Sequence, residues 1–449
     1  MVKENYVITT AQKGAKPHWE FLRGLEKYCK ANHADLLILP TNGKKTTSRR
    51  GKDNNDVEVL HEYLRNNFEV VEGDRRLNSK LQIRHFPVKA QQMIPLTSWG
   101  RFIQYDKSAI IASPKLMMKA LPNSNCDLPK ILMSTGAITR PHYKDNSWGT
   151  KAMLDHNYGA IITNIENSND YHYRQIVSNK GGTFFDLGKK YEGENKPSQE
   201  RLEAMVLGDL HSGWENAAVM KATYAQIRKL QPKYVVVHDL FDGRAVSHHT
   251  QDQLITLAQR NEIGKDSLYD ELKACGALLR KIKKAGPSDM EVIVVKGNHD
   301  EHLERYLQEG RFAKDPTNLE LSAQLVIDMI NGEDVIENGI GYTYGDIEGV
   351  RYLGRHDDFK KLGWQLGTHG DLGGNGSRGS VRTIENQIGK GITAHSHTPE
   401  IFRQTWRVGT STELQMLYNR GASSWMNTHG LLHPNGKAQL INIIDGKYK

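Results

Sequence analysis

Five short polar clusters, each beside an apolar run, constrain this chain more than any other feature. In order they are Gly208-Asp209-Leu210-His211, His238-Asp239-Leu240-Phe241-Asp242, Gly297-Asn298-His299-Asp300, His369-Gly370-Asp371 and Ala394-His395-Ser396-His397. Met205-Val206-Leu207 leads into the first, Tyr234-Val235-Val236-Val237 into the second and Val292-Ile293-Val294-Val295 into the third. Short apolar runs rich in β-branched residues read as strands. Side chains just past such strands lie at the carboxyl edge of a sheet, where open α/β folds build their sites.

The residue types in the clusters point to divalent cations. Asp, His and Asn are hard or borderline ligands, and together they suit a pair of ions sharing one carboxylate. Residues at i and i+2 on a strand face the same side, so Asp209 with His211, and His395 with His397, can each chelate a single ion. Asp239 is the natural bridging carboxylate. Asn298 adds a neutral oxygen ligand, which limits negative charge where an anion must enter. His299, beside it, is left to donate a proton to a leaving alkoxide. The chemistry implied is metal-assisted hydrolysis of a phosphate ester.

A chain of 449 residues is long enough for two or three domains. No apolar run approaches the roughly 20 residues that span a bilayer, and the first residues, Met1-Val2-Lys3-Glu4-Asn5, lack a secretory apolar stretch. A cytoplasmic protein without membrane contact is expected. Cys29, Cys126 and Cys275 are far apart and form no CxxC pair, which argues against disulfides and zinc-thiolate sites. Net charge is +8, and it is unevenly spread: residues 1–200 carry 30 Lys+Arg against 21 Asp+Glu (+9), residues 201–449 carry 30 against 31 (−1). A basic half joined to a neutral, metal-binding half suggests that one grips a polyanion and the other cuts it. The densest basic run is Lys44, Lys45, Arg49, Arg50 and Lys52.

Residues 5–40 read as strand, helix, strand, and further strands are expected at 108–113, 130–134 and 158–164. No catalytic spacing is visible before residue 200. The polar stretch from Lys189 to Glu200, broken by Gly193 and Pro197, is the best linker candidate. The expected organisation is a basic N-terminal α/β domain over 1–199, with a DNA-binding or assembly role, and a catalytic domain over 200–449.

The series GDxH, a GDxxD-like segment, GNHD, His and a GHxH-like segment resembles the calcineurin-like metallophosphoesterase superfamily over residues 200 to about 400. The resemblance implies an α/β fold with a β-sandwich flanked by helices. It implies one metal on Asp209, His211, Asp239 and His397, a second on Asp239, Asn298, His369 and His395, and His299 as the catalytic histidine. It also implies two divalent ions sharing a hydroxide as nucleophile. Mn²⁺ is the expected metal, and Mg²⁺, Fe²⁺ or Zn²⁺ fits the same atoms. Two positions depart from the pattern, His238 and Ala394, where the family usually has glycine. His238 either lines the substrate channel or packs beneath the sheet, and Asp242 reads as a cap for the following helix. His248 and His249, at the start of a long helical stretch to Lys284, together with Arg244 and Arg378, are further candidates for substrate contact. Arg378 belongs to a Gly-rich run, 373–379, flexible enough to move over a bound strand.

In layout the chain is similar to phage-encoded metallophosphoesterases of the nuclease branch, including the early-expressed type that degrades host DNA. The leading expectation is therefore a Mn²⁺-dependent DNA nuclease acting in the host cytoplasm, with homo-oligomer formation left open. A small-nucleotide phosphodiesterase or phosphatase is the enzymatic alternative. A non-catalytic DNA-binding or assembly protein on a phosphoesterase scaffold is the alternative of another class.

Overall fold

The computed structural model describes residues 4–44, 58–124, 128–250, 253–262, 264, 266–416 and 419–449. Of the basic run at 44–52, all but Lys44 lies outside these residues, as does Cys126.

A six-stranded sheet carries the first three clusters, while His369 and the His395/His397 pair follow Trp364–Gln365 and Gly391–Thr393 of a second sheet. The order of the six strands is Val350–Leu353, Glu291–Val295, Tyr234–His238, Ala204–Val206, Thr428–Leu432 and Ala438–Asn442. The first four strands run parallel, so their carboxyl ends lie along one edge. The last two form an antiparallel hairpin. Val235, Val237, Val292 and Val294 face the helices Ala217–Leu230, Leu268–Ala285 and Val335–Thr343. Val206, Val236, Ile293 and Val295 face the opposite way, into a core shared with the second sheet. Burial on both faces explains why these strands read as unbroken apolar runs without polar alternation.

That second sheet has ten strands and completes the sandwich. It holds Gly391–Thr393, Glu400–Phe402 and Thr405–Arg407 from the C-terminal half, and Leu81–Arg84, Ser108–Ile111, Leu116–Leu121 and Lys130–Thr135 from the N-terminal half. The two sets join where Glu400 and Ile401 pair with Lys119 and Met118. A boundary at 199/200 therefore cuts through this sheet and the core beneath it, because N-terminal strands complete a sheet that begins in the other half, although the five- and six-stranded sheets each lie on one side of it. The opening strand-helix-strand is present as Glu4–Gln12, Trp19–Asn32 and Ala34–Thr41, inside a five-stranded sheet. Tyr6, Ile8 and Leu37 of that sheet enter the same core.

Two further expectations are corrected. The polar stretch 189–200 is not a free linker: Lys189–Tyr191 and Ser198–Gln199 pair in a small sheet with Phe184–Asp186. Beside it, the Gln439 amide donates to the Asp186 carboxylate (2.9 Å) and to the carbonyl of Gln175 (3.0 Å), tying this region to the C-terminal hairpin. The stretch after Ser247 is not one long helix. A short 3-10 turn, His248–Thr250, precedes separate helices Leu254–Glu262 and Leu268–Ala285. Gly264 has φ +65°, and Ser267 starts the second helix by accepting from the Asp270 N–H. No helix among the described residues is long and apolar enough to cross a membrane.

Candidate metal centre

The first two loops are held side by side by their backbones. The N–H groups of Leu210 and His211 donate to the carbonyls of His238 and Asp239 at 3.2 and 2.8 Å. Thr410 and Ser411 brace the first loop, with the Thr410 hydroxyl and the Ser411 N–H both donating to the Asp209 carbonyl. This approach needs Gly208, because a Cβ there would lie 2.7 Å from the Thr410 backbone. Four of the clustered residues, His211, Asp239, His395 and His397, have φ between 43° and 75°. Non-glycine residues rarely adopt that left-handed region, and when they do they gather at functional sites.

The side chains converge, but the His395/His397 pair does not stay together as its i, i+2 spacing implied: His397 turns to Asp209 and His211, whereas His395 turns to Asn298 and His369. His211 Nε2 and His397 Nε2 face each other at 3.0 Å, and His397 Nε2 lies 3.1 Å from Asp209 Oδ2. Asp239 Oδ2 is 3.2 Å from His369 Nε2 and 3.8 Å from His211 Nε2. Asn298 Oδ1 sits 3.2 Å from His369 Nε2 and 2.9 Å from His395 Nδ1. Asp209, His211, Asp239, His369 and His397 are buried, and only Asn298, His299 and His395 are partly open to solvent. The solvent-open side of the centre is therefore the side of these three residues.

Several observations show that this set fits metal ions. Ligand atoms of Asp209, His211 and His397, and of Asp209, Asp239 and His369, come within 4.8 Å of one another in each group. Asp239 Oδ1 is buried without a hydrogen-bond partner, a costly state for a carboxylate unless a cation meets it. A Cβ on Gly297 would stand 1.8 Å from that oxygen, so the glycine makes room for the Asp239 carboxylate. Burial opposes charge on His211 and His369, but neighbouring carboxylates outweigh it and push each up to about 9. Burial likewise works against the Asp239 carboxylate, and the surrounding histidines overcome it, holding it well below the usual range. A centre this rich in stacked opposite charges is poised for ligands, not for simple packing.

Asp242 is not a helix cap. Its Oδ1 lies 3.2 Å from His211 Nδ1, its Oδ2 accepts from the Trp214 indole at 2.9 Å, and its carbonyl lies 2.8 Å from His299 Nδ1. It thus touches both His211 and His299, an arrangement that resembles carboxylate–histidine–metal chains. Its place three residues after Asp239 was the signal. Asp300, also unassigned from sequence, accepts from the Gly297 N–H at 2.7 Å; burial and then the Asp239 charge push it up to about 7. Asp371 forms an ion pair with Arg355.

The substrate-contact candidates divide. His238 is fully buried, 5.6 Å ring to ring from His369, and exposes nothing to a substrate. Its β-strand backbone points the imidazole under the site, so packing is its role. Arg244 Nη1 donates to the Ser212 carbonyl at 2.9 Å and lies over Gly213, bracing the first loop. The backbone N–H groups of Gly243, Arg244 and Ala245 are in turn held by the buried Glu271 carboxylate. The rings of His248 and His249 lie 3.8 Å apart, tilted by 38°, and meet His302, whose ring is 5.1 Å from that of His299. His302 was missed in the sequence because nothing in its spacing resembles a ligand. Arg378 is exposed on the 373–379 loop, which holds a short turn closed by Gly379 N–H to Asp371 carbonyl at 2.6 Å. Its charge reaches Arg407, a buried arginine that donates to Ser396 Oγ at 3.1 Å between the paired histidines.

Sheet-edge loops that gather two overlapping Asp/His/Asn sets beside a separate histidine define a metal-dependent phosphoesterase. Residues 203–399 match the calcineurin-like phosphoesterase family, and this part of the chain is a domain of that kind. Over its full length the chain is similar to Protein A1 of Escherichia phage T5, with 28% identity across 470 residues covering 99% of this chain and 83% of that protein.

Proposed function

We propose that the protein is a Mn²⁺-dependent DNA nuclease acting in the cytoplasm of a phage-infected cell. The observation that carries the substrate class is the charge division, +9 over residues 1–200 against −1 over the remainder that holds the metal centre. The full-length likeness to a phage protein supports the setting.

Two divalent ions, when bound, supply water activation and polarisation of the phosphoryl oxygens. Asp209, His211, Asp239 and His397 would hold one, and Asp239, Asn298, His369 and His395 the other. The protein's own part is positional. With Nδ1 of His299 engaged by the Asp242 carbonyl, Nε2 is the nitrogen left to give a proton to the departing alkoxide. Arg378, exposed and with its charge felt by the buried Arg407, is the proposed contact for a neighbouring phosphate of the strand.

The test is incubation of purified protein with Mn²⁺, Mg²⁺ or EDTA and linear, circular and single-stranded DNA, alongside a chromogenic phosphodiester. Metal-dependent DNA cleavage is the expected result. Turnover of the small ester with all DNA intact would instead identify a small-nucleotide phosphodiesterase. Retention of DNA in a gel shift with no turnover of any substrate would identify a binding protein.

A further inference from the structure

A second cationic site lies away from the metal centre. A cavity of about 650 Å³ opens between the two halves of the chain, lined by Arg140 and Lys180 from one and by Lys390, Arg403 and Lys437 from the other. Arg403 is answered by Asp155 at 3.6 Å and Glu385 at 3.1 Å. The other four have no carboxylate within ion-pair distance among the described residues. Lys390 instead lies 4.7 Å over the Trp364 ring, with Nζ 3.4 Å from the Gly436 carbonyl. Burial and then the charge of Lys180 lower the Lys437 amine, and burial and then Lys437 lower Lys390. The three ammonium groups therefore feel one another across the same space.

Unpaired lysines on a surface normally spread into solvent, where repulsion is screened. Convergence on one cavity carries a repulsive cost that an anion would remove. We propose that this cavity binds a compact polyphosphate, the di- or triphosphate group of a nucleotide. A nucleic-acid strand presents single charges along an extended path, whereas four cations around one enclosed volume match several charges on one group. Met153 and Leu154, 55% and 77% exposed at the cavity lip, offer an apolar face to the attached nucleoside.

The site is distinct from the catalytic one. Lys390 precedes and His395 follows the strand Gly391–Thr393. At about 3.3 Å per residue, cavity and metal centre are separated by on the order of 15 Å along that strand. The inference does not depend on the nuclease reading.

Calorimetric titration of the full chain in EDTA, with inorganic pyrophosphate and with ATP, tests it with the metal centre unable to recruit phosphate through ions. Saturable one-to-one binding is expected, unchanged in His299→Ala and weakened about tenfold, or 1.4 kcal/mol, in the Lys180→Gln/Lys437→Gln double variant. The exposed Lys180→Gln single variant, checked for folding by circular dichroism, should show a smaller loss in the same direction. Absence of saturable binding, unchanged affinity in the two lysine variants, or binding of single-stranded DNA with pyrophosphate and ATP inert would overturn the proposal.

Discussion

The backbone carbonyl of Asp242 lies 2.8 Å from Nδ1 of His299, while the carboxylate of the same residue lies 3.2 Å from Nδ1 of His211. One aspartate thus sets the direction of the proposed proton donor and of a proposed metal ligand. Replacing it by Asn keeps the carbonyl contact but turns an amide or a weaker acceptor toward His211. Metal affinity in Asp242→Asn should fall roughly 10- to 100-fold, as for other outer-sphere partners of ligating histidines. Calorimetric Mn²⁺ titration reads the loss, and an unchanged isotherm would remove Asp242 from this role.

His299→Ala should keep both metals and lose about 10²–10⁴ in turnover. The loss should be much smaller on a p-nitrophenyl phosphodiester, whose leaving group needs no proton. Equal losses on alkyl and aryl esters would show that His299 acts elsewhere than on the leaving group.

Gly297→Ala should damage the centre without touching a ligand. The added Cβ would stand 1.8 Å from Asp239 Oδ1 and 3.1 Å from His369 Nε2. The bridging carboxylate must move, and bound metal measured by elemental analysis should fall below two ions per chain. Full occupancy would place the bridge on another residue.

Stability should fall on the acid side in a window set by buried histidines. Burial holds His429 at about 3 and His433 at about 4, against an ordinary value of 6.5. The unfolded chain takes up these protons first, so stability is retained above pH 6.5 and lost as pH falls toward 4. Each group contributes about 1.4 kcal/mol per pH unit inside that window. Thermal melts in EDTA from pH 7.5 to 4.5 should show the decline, and His433→Gln should make it shallower. A slope that does not change in the variant would assign the acid sensitivity to other groups.

The sequence was most legible where local pattern and chemistry coincide. Valine-rich strands followed by Asp, His or Asn identified the six-stranded sheet's working edge, and the i, i+2 spacing anticipated the convergence of Asp209 with His211; His395 and His397, both in left-handed backbone, instead part, His397 toward Asp209 and His211 and His395 toward Asn298 and His369. Roles that depend on long-range packing were not visible. His238 reads like a channel residue until its strand neighbours bury it, and Arg244 reads like a phosphate ligand until Ser212 and Glu271 claim it and its loop. His302 and Arg407 reach the site from a helix and a strand whose spacing carries no ligand signature. The region 189–200 looked free because its strands are two and three residues long, too short for any periodicity to register.

The ten-stranded sheet makes the two halves of this chain poor candidates for separate expression or for exchange between proteins. A fragment starting at residue 200 would leave Glu400 and Ile401 as an unpaired edge, inviting association with other copies. The reciprocal fragment would bare the strand Leu116–Leu121. A descendant that borrowed only the catalytic half would have to rebuild half a sheet, so the basic and metal-binding parts are heritable as one unit.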